Sequence, residues 1–489
     1  MNNKLLKRKK LTKQILVYVL MTLAVFVVVV LITFFMLGFR FDTDKGNLEQ
    51  YAFLQFNSSP SGATISIDGN VIGLKTPTKK PVPAGKHDVE MWRDGYKTWK
   101  KSIDINAGTI TWLNYTLLVP KKIIVEPVAN YESIYLSLAT PKGDDIIIEK
   151  QSNIPVFNLV DISSNTIKSK TITIPTTLYS DSGTLGVNHV FNINKWDEGG
   201  RYVLIEHKYN DNKEWLVLDT QNVNLTKNIT RLFDLAINDI VFSGTSGNIF
   251  YSLDANDIRK LDLAAGTIST PLVSNVTSFE IYNDTKVITY VGVGKPGTSE
   301  RVVGLYREGD EKPTIIRTVK GDVNIPLHIT TTHYYNANYV AISEGMKVDI
   351  LSGSYPTNTG ETTNNMKVIT SFKSTKNIEN LSFSPSGEFV FIQSGTYFAS
   401  YDLEYQKFSS SNIEGNGPIS ALQWLDDNYI WSDRDGKLTI REFDGTNVYE
   451  INNVIFGQDV VLTNNGRYLY SINKSDKIYN LQRVRMILP

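Results

Sequence analysis

Hydrophobic and polar positions divide this chain into two regimes. From Ile15 to Phe39 (ILVYVLMTLAVFVVVVLITFFMLGF) no residue is charged and almost all are apolar. As a helix at ~1.5 Å per residue this run reaches about 37 Å, enough to cross a ~30 Å hydrocarbon layer with some tilt. Its few hydroxyls belong to Thr and Tyr, which a helix or the membrane interface can satisfy. Beyond it the period becomes two. Ala63-Thr64-Ile65-Ser66-Ile67-Asp68-Gly69 alternates and then turns, placing Ile65 and Ile67 on one face and Thr64 and Ser66 on the other. Asp-Gly after such a run predicts a two-residue hairpin turn. His87-Asp88-Val89-Glu90-Met91-Trp92 alternates again, and Lys100–Ile105 and Thr109–Leu117 complete the set. Residues 54–119 therefore read as a small two-layered all-β domain with Ile, Val and Trp inside. The polar stretch 40–53 before it reads as a juxtamembrane linker, with Arg40 snorkelling to the headgroups.

From residue 120 to 489 an apolar–turn–apolar pattern recurs. The clearest copy, NLSFSPSGEFVFIQSGTYFASYDL, ends at Leu403. A strand closes on an aromatic, a Ser-Pro-Ser-Gly turn follows, and two further apolar strands end in Asp-Leu. Trp196–Ile205 leading to Trp215–Asp219 is a second copy. Phe242–Gly244 to Leu263, Ala421–Trp424 to Ile440, and Leu462–Tyr470 are others, with weaker ones near Ile134, Phe279 and His333. A period of roughly 40–55 residues with three or four strands per copy predicts a β-propeller. One blade cannot bury both faces alone; set radially between neighbours, it can. The count of copies predicts eight blades, with seven the alternative. Residues 121–125 (KKIIV) lack a partner in the first copy, and the 477–489 segment is apolar and β-prone to its last residues. They are expected to complete one blade together and so close the ring.

Charge sets the topology. Lys4, Lys7, Arg8, Lys9, Lys10 and Lys13 precede the apolar run, and no acid precedes Asp42. The positive-inside rule then makes residues 1–14 a cytoplasmic tail, 15–39 a single transmembrane helix, and everything after it extracytoplasmic. A cleaved signal peptide is the competing assignment. The length of the run and the lack of a small-x-small site after it favour an uncleaved anchor. With six basic residues in the tail and a formal charge of zero overall, the remainder is acidic and offers no basic surface for nucleic acid. There is no cysteine, so thiolate metal sites and thiol chemistry are excluded.

Pro60-Ser61-Gly62-Ala63, the following Ile65-Ser66-Ile67-Asp68-Gly69, Gly73 with Thr76-Pro77, Gly85 with His87 and Val89, and Gly95-Tyr96 resemble the PEGA domain in order and spacing. The Glu of that name is Ser61 here. The flanking Gly38-Phe39-Arg40-Phe41 and Leu54-Gln55-Phe56 resemble the membrane-proximal context of bacterial PEGA proteins. The resemblance implies a small surface β-module without catalytic residues. The later repeats resemble WD40-like and TolB-like propellers through their aromatic–Ser–x–x–Gly turn, a likeness that bears on fold and not on activity.

Candidate chemistry is sparse. Gly292-Val293-Gly294-Lys295-Pro296-Gly297 matches a dinucleotide-loop spelling, but Thr298–Tyr306 reads as a strand where a helix is needed, so it is taken as a hairpin loop. Asp433-Arg434-Asp435-Gly436 could open a calcium loop yet lacks the later carboxylates. Trp196 and Trp424 occupy matching repeat positions, which predicts core packing rather than sugar stacking. His87, His189, His207, His328 and His333 show no metal-ligand spacing, and no nucleophile elbow occurs. No catalytic, metal or cofactor residue is assigned, and the binding residues are left open. The expectation is a non-enzymatic cell-surface protein that binds an extracellular protein or a cell-wall glycan. A carboxylate-dependent hydrolase and a structural envelope role are the alternatives.

Overall fold

The computed structural model describes residues 2–36, 38–42, 47–295, 297–356 and 365–489. They fall into two compact units: Met1–Lys122 with Ile487–Pro489, and Ile123–Met486.

The first unit opens with helix α1 (Asn2–Met36). Its apolar part, Lys13–Met36, has mean hydropathy 3.2, is not covered by protein, and among the described residues is the one helix long and apolar enough to cross a membrane. Thr22 and Thr33 donate their hydroxyls to the carbonyls of Tyr18 and Val29, one turn back. The helix differs from its expected bounds at both ends. The basic segment before Ile15 continues the same helix, and Phe39 lies beyond it in a strand.

The expected linker is also corrected. Residues 40–53 belong largely to β1 (Phe39–Asp42) and to the first half of β2 (Asn47–Ser59), which pair antiparallel; 43–46 lie outside the described residues. A long alternating strand can take a short polar one along its edge, and the polar spelling of 40–47 hid this. The remaining strands are β3 (Thr64–Ile67), β4 (Asn70–Lys75), β5 (Thr78–Pro83), β6 (Gly85–Trp92), β7 (Trp99–Ile105) and β8 (Ile110–Leu117). One sheet is built on β2, which pairs with β1, β5 and, in parallel, β8; the other runs β4-β3-β6-β7. Leu54, Phe56, Ile65, Val89, Met91 and Trp99 fill the space between them. Asp68 and Gly69 both have positive φ (52° and 78°), and Ile67 pairs with Asn70, the geometry of a type I′ two-residue turn.

The second unit is a β-propeller. Among the described residues it contains eight four-stranded antiparallel sheets. Seven blades run in simple chain order: 136–173, 189–228, 237–268, 276–320, 327–373, 380–412 and 423–453. In the eighth, strands 461–462, 468–475 and 478–485 are completed by β9 (Val125–Tyr131). Val484 pairs with Val125 and Tyr479 with Tyr131, and Arg483 Nε meets Glu126 Oε2 at 2.9 Å. The two ends of the unit therefore share one sheet, as expected, with two corrections. The partner strand begins at Val125, where the KKIIV segment ends. Ile487 lies in no sheet and groups with the first unit.

Adjacent blades share their cores. Phe157 of blade 1 packs in one cluster with Phe191 and Trp196 of blade 2, Trp215 with Phe242 and Phe250, and Tyr251 with Phe279 and Ile288. Val303 packs with Ile329 and Val340, Ile350 with Val390, and Phe391 with Ile430. Blades 7 and 8 are joined by Asn452 Nδ2 donating to Ser471 Oγ at 2.9 Å and Gln482 Nε2 donating to the Asn453 carbonyl at 2.8 Å. Tyr470 and Leu481 of blade 8 meet Ile146, Ile148 and Val160 of blade 1. Each fully buried aliphatic in these seams stabilises by about 1.5–3 kcal/mol.

The repeated turn has a common mechanism. Its first residue accepts, on its side chain, the backbone N–H five residues on: Thr140 from Asp145, Asp197 from Tyr202, Ser384 from Phe389, Thr463 from Tyr468. The residue at the fourth position is Gly143, Gly200, Gly387 or Gly466, each with positive φ. A Cβ on Gly387 would overlap Thr332, so here both φ and space require glycine.

Candidate functional site

Every blade sends its first and third strands the same way. The connections from second to third strand, and from each blade to the next, therefore gather at one end of the ring, called here the crossover end. The hairpins joining first to second and third to fourth strands gather at the other.

The crossover end carries exposed apolar side chains from many blades. Ile154, Leu185, Leu232, Val323, Met346 and Phe456 all lie in its connections, and Leu185 is 99% exposed. The opposite end exposes Leu225, Tyr335, Tyr405 and Val448.

A polar network links the first three blades. Tyr135 donates its hydroxyl to Asn192 Oδ1 (3.2 Å), and Asn192 Nδ2 donates to Glu206 Oε2 (3.4 Å). Glu206 pairs with Lys208 (3.0 Å) and Lys213 (3.6 Å), and Lys213 Nζ donates to the Asn238 carbonyl. Burial raises the pKa of Asp239, against the lowering influence of Lys195 and Lys213. The protein around Glu280 raises its carboxyl as well, although the side chain is exposed, again against Lys195 and a hydrogen bond from Thr330.

Blade 2 holds a histidine relay at its crossover edge. His189 Nδ1 and His207 Nε2 are 2.9 Å apart, and His207 Nδ1 is 2.8 Å from Glu214 Oε1. Burial pushes the Glu214 carboxyl up, but hydrogen bonds from His207, Asn228 and Ser180 prevail and hold it at about 2. A carboxylate at Glu214 accepts a hydrogen bond from His207 Nδ1–H, and the His207 Nε2–His189 Nδ1 hydrogen bond continues the chain. Ser180 binds Glu214 through its amide and its hydroxyl (both 2.8 Å), and Tyr179 stands edge-on to both imidazoles. The relay thus pins the loop that carries Leu185.

Acids collect at the opposite end. Burial, together with Asp402, Glu404 and Asp427, pushes Glu388 up to about 8. Tyr334 donates its hydroxyl to Glu404 at 3.0 Å. Among the described residues no group of three or more His, Asp or Glu is arranged to hold a metal ion.

The residues weighed from sequence find these places. His87 is buried between Asp68 (2.7 Å) and the Pro83 carbonyl (2.9 Å). His328 meets the Ile378 carbonyl and His333 meets Asn338. Gly292 lies in a strand paired to Val302, so residues 294–299 are a hairpin loop, with Pro296 outside the described residues. Asp433 accepts from Ser420 Oγ and from the Gly457 amide at 2.7 Å each, and Asp435 accepts from Asn416 and Gly417. These carboxylates tie loops together. Trp196 is buried in the seam of blades 1 and 2, and Trp424 packs on that of blades 6 and 7. The relay was missed because its histidines are 18 residues apart. Only the register that sets Phe191 opposite His207, and His189 opposite Tyr209, makes them diagonal neighbours.

The PEGA domain family matches residues 53–119. No curated protein shows significant similarity to the chain. Among solved structures, the β-propeller domain of Myceliophteria thermophila Cps50 (Swd1) is 10% identical, with 73% of this chain and 99% of that one covered and a TM-score of 0.40. An oligogalacturonate lyase in complex with manganese is 12% identical, with 75% and 98% covered and a TM-score of 0.41. The dihydro-heme d1 dehydrogenase NirN is 12% identical, with 67% and 69% covered and a TM-score of 0.42. Residues 53–119 are a PEGA domain, followed on the same chain by an eight-bladed β-propeller.

Proposed function

We propose that this chain is a membrane-anchored, non-catalytic binding protein whose propeller engages a protein partner through its crossover end. The observation that carries the reading is the set of exposed apolar side chains on that end, drawn from connections of several blades. Such surface is stabilised when covered. Of the six named residues only Phe456 is aromatic, and glycan platforms depend on stacked aromatic faces, so a protein partner fits better than a cell-wall glycan. Helix α1 is the anchor in this reading, and the basic residues before it support an orientation with the propeller outside the cytoplasm.

Two experiments test it. Protease added to intact cells, without an outer barrier, should remove the propeller and spare the N-terminal segment; full protection refutes the orientation. A photo-crosslinking residue at Leu185 or Val323 should give a discrete protein adduct in cells, and one at Tyr405 should not. Equal labelling at all three positions, or none, refutes the assignment of the face. A carboxylate-dependent hydrolase is the second reading. It would centre on Glu388, which its surroundings keep protonated near neutral pH as a general acid must be. Glu388→Gln should leave partner binding unchanged under the first reading.

A further inference from the structure

The Gly95-Tyr96 corner of the PEGA domain is occupied by residues from the far end of the sequence. Leu488 donates its backbone N–H to the Tyr96 hydroxyl at 2.7 Å. Its side chain packs on the PEGA core that contains Tyr96, Trp99 and Leu118. Ile487–Pro489 accordingly belong to the same compact unit as the PEGA domain.

The corner is built to receive a side chain. Gly95 has φ 84°, and a Cβ on it would come within 2.9 Å of Leu488 Cδ1. Glycine therefore serves the turn and also leaves room for the leucine. The corner is held from behind: Gly95 accepts on its carbonyl from Lys121 N–H, Tyr96 N–H donates to Arg93, and Lys97 N–H donates to Val119. Tyr96 is almost wholly buried, so its hydroxyl needs a partner, and the Leu488 amide supplies one. One apolar side chain in a glycine-floored hollow plus one directed hydrogen bond to the peptide backbone is the chemistry of peptide recognition.

We propose that the Gly95-Tyr96 corner is a peptide-binding site for a short apolar segment, and that its resident ligand is this chain's own Ile487–Pro489. The site and its ligand are separable: removing the segment vacates the site without unfolding the domain, and the same peptide supplied in trans refills it. Joined to the chain, the segment competes at the high effective concentration of an intramolecular ligand.

The test uses the full chain in detergent, intact and lacking residues 487–489. The probe is a labelled synthetic peptide spanning Val484–Pro489 (VRMILP). The truncated chain should bind it saturably, at least about tenfold tighter than the intact chain, whose site is filled. The same peptide with Leu488→Asp should not bind, and Tyr96→Phe in the truncated chain should weaken binding about three- to tenfold by removing the acceptor. Amide exchange at Tyr96 and Lys97 should accelerate about tenfold on truncation and recover with peptide. Equal peptide binding by both chains, or equal binding of the Asp peptide, overturns the proposal. So does loss of exchange protection throughout β3 and β6 on truncation, which would make the segment an inseparable part of the PEGA core.

Discussion

Closing the ring with β9 makes a prediction that a single covalent bond can test. Asn130 of β9 lies opposite Asn480, and the chain contains no cysteine. The double substitution Asn130→Cys/Asn480→Cys therefore introduces one thiol pair across the closing seam and no competing thiol. Neither asparagine is buried, so replacing it leaves the core intact. The disulfide would close a loop of about 350 residues. The chain-entropy relation then gives an upper bound of roughly 5–6 kcal/mol at 25 °C, and engineered bridges commonly deliver about 2–4 kcal/mol. At about 2.1 cal/mol/K per residue, a propeller of about 360 residues has a melting entropy near 0.8 kcal/mol/K, so the expected rise in Tm is about 3–5 °C. The assay is thermal unfolding of the oxidised and reduced double variant, with bridge formation read from mobility on a non-reducing gel. Reductant should remove the whole gain. Failure of the two thiols to bridge under mild oxidant refutes the β9 pairing. A bridge that forms without raising Tm refutes the loop-closure reasoning behind the expected gain.

Other expectations concern single residues. Gly69→Val forces a β-branched residue into φ 78° with no neighbour within 4 Å to clash, so the cost is backbone strain of about 1–2 kcal/mol and should appear as a lower melting temperature for the PEGA unit. An unchanged Tm contradicts the type I′ turn. Asp197→Ala removes the acceptor for the amides of Gly199, Arg201 and Tyr202 at a fully buried position, and should cost about 2–3 kcal/mol in denaturant unfolding. Asp197→Asn, which keeps an acceptor oxygen, should recover much of that loss. Glu149 is fully buried, and burial pushes its carboxyl up to about 8. Between about pH 4.5 and 8 the folded state therefore holds a proton that the unfolded chain has released, and stability must fall as pH rises through that window. Glu149→Gln should flatten the fall, so that Tm of the variant gains on that of the native protein from pH 5 to 8.5; parallel pH profiles would show that Glu149 titrates normally.

Local features of the sequence were enough for the elements whose rules are local. An uncharged run of 25 residues must hide its backbone polar groups in a helix, whatever else the chain does. Asp68-Gly69 specifies its turn because the φ values of a type I′ hairpin exclude most other pairs. The blades were countable because the apolar–turn–apolar pattern recurs, and in four of them the turn is one device, a Ser, Thr or Asp followed by glycine at the fourth position, which caps its own hairpin. Tertiary structure decided whatever depends on which strands meet. Residues 40–53 look like a linker until β2 supplies a partner for their backbone. His189 and His207 become a relay only through strand register, because side chains far apart in sequence meet only across paired strands. The same holds at the far end of the sequence: Val484 and Leu488 are neighbours in an apolar run, yet Val484 joins β9 in the propeller and Leu488 the Tyr96 corner of the PEGA domain. An apolar residue signals that it must be buried, and only the folded chain determines against what.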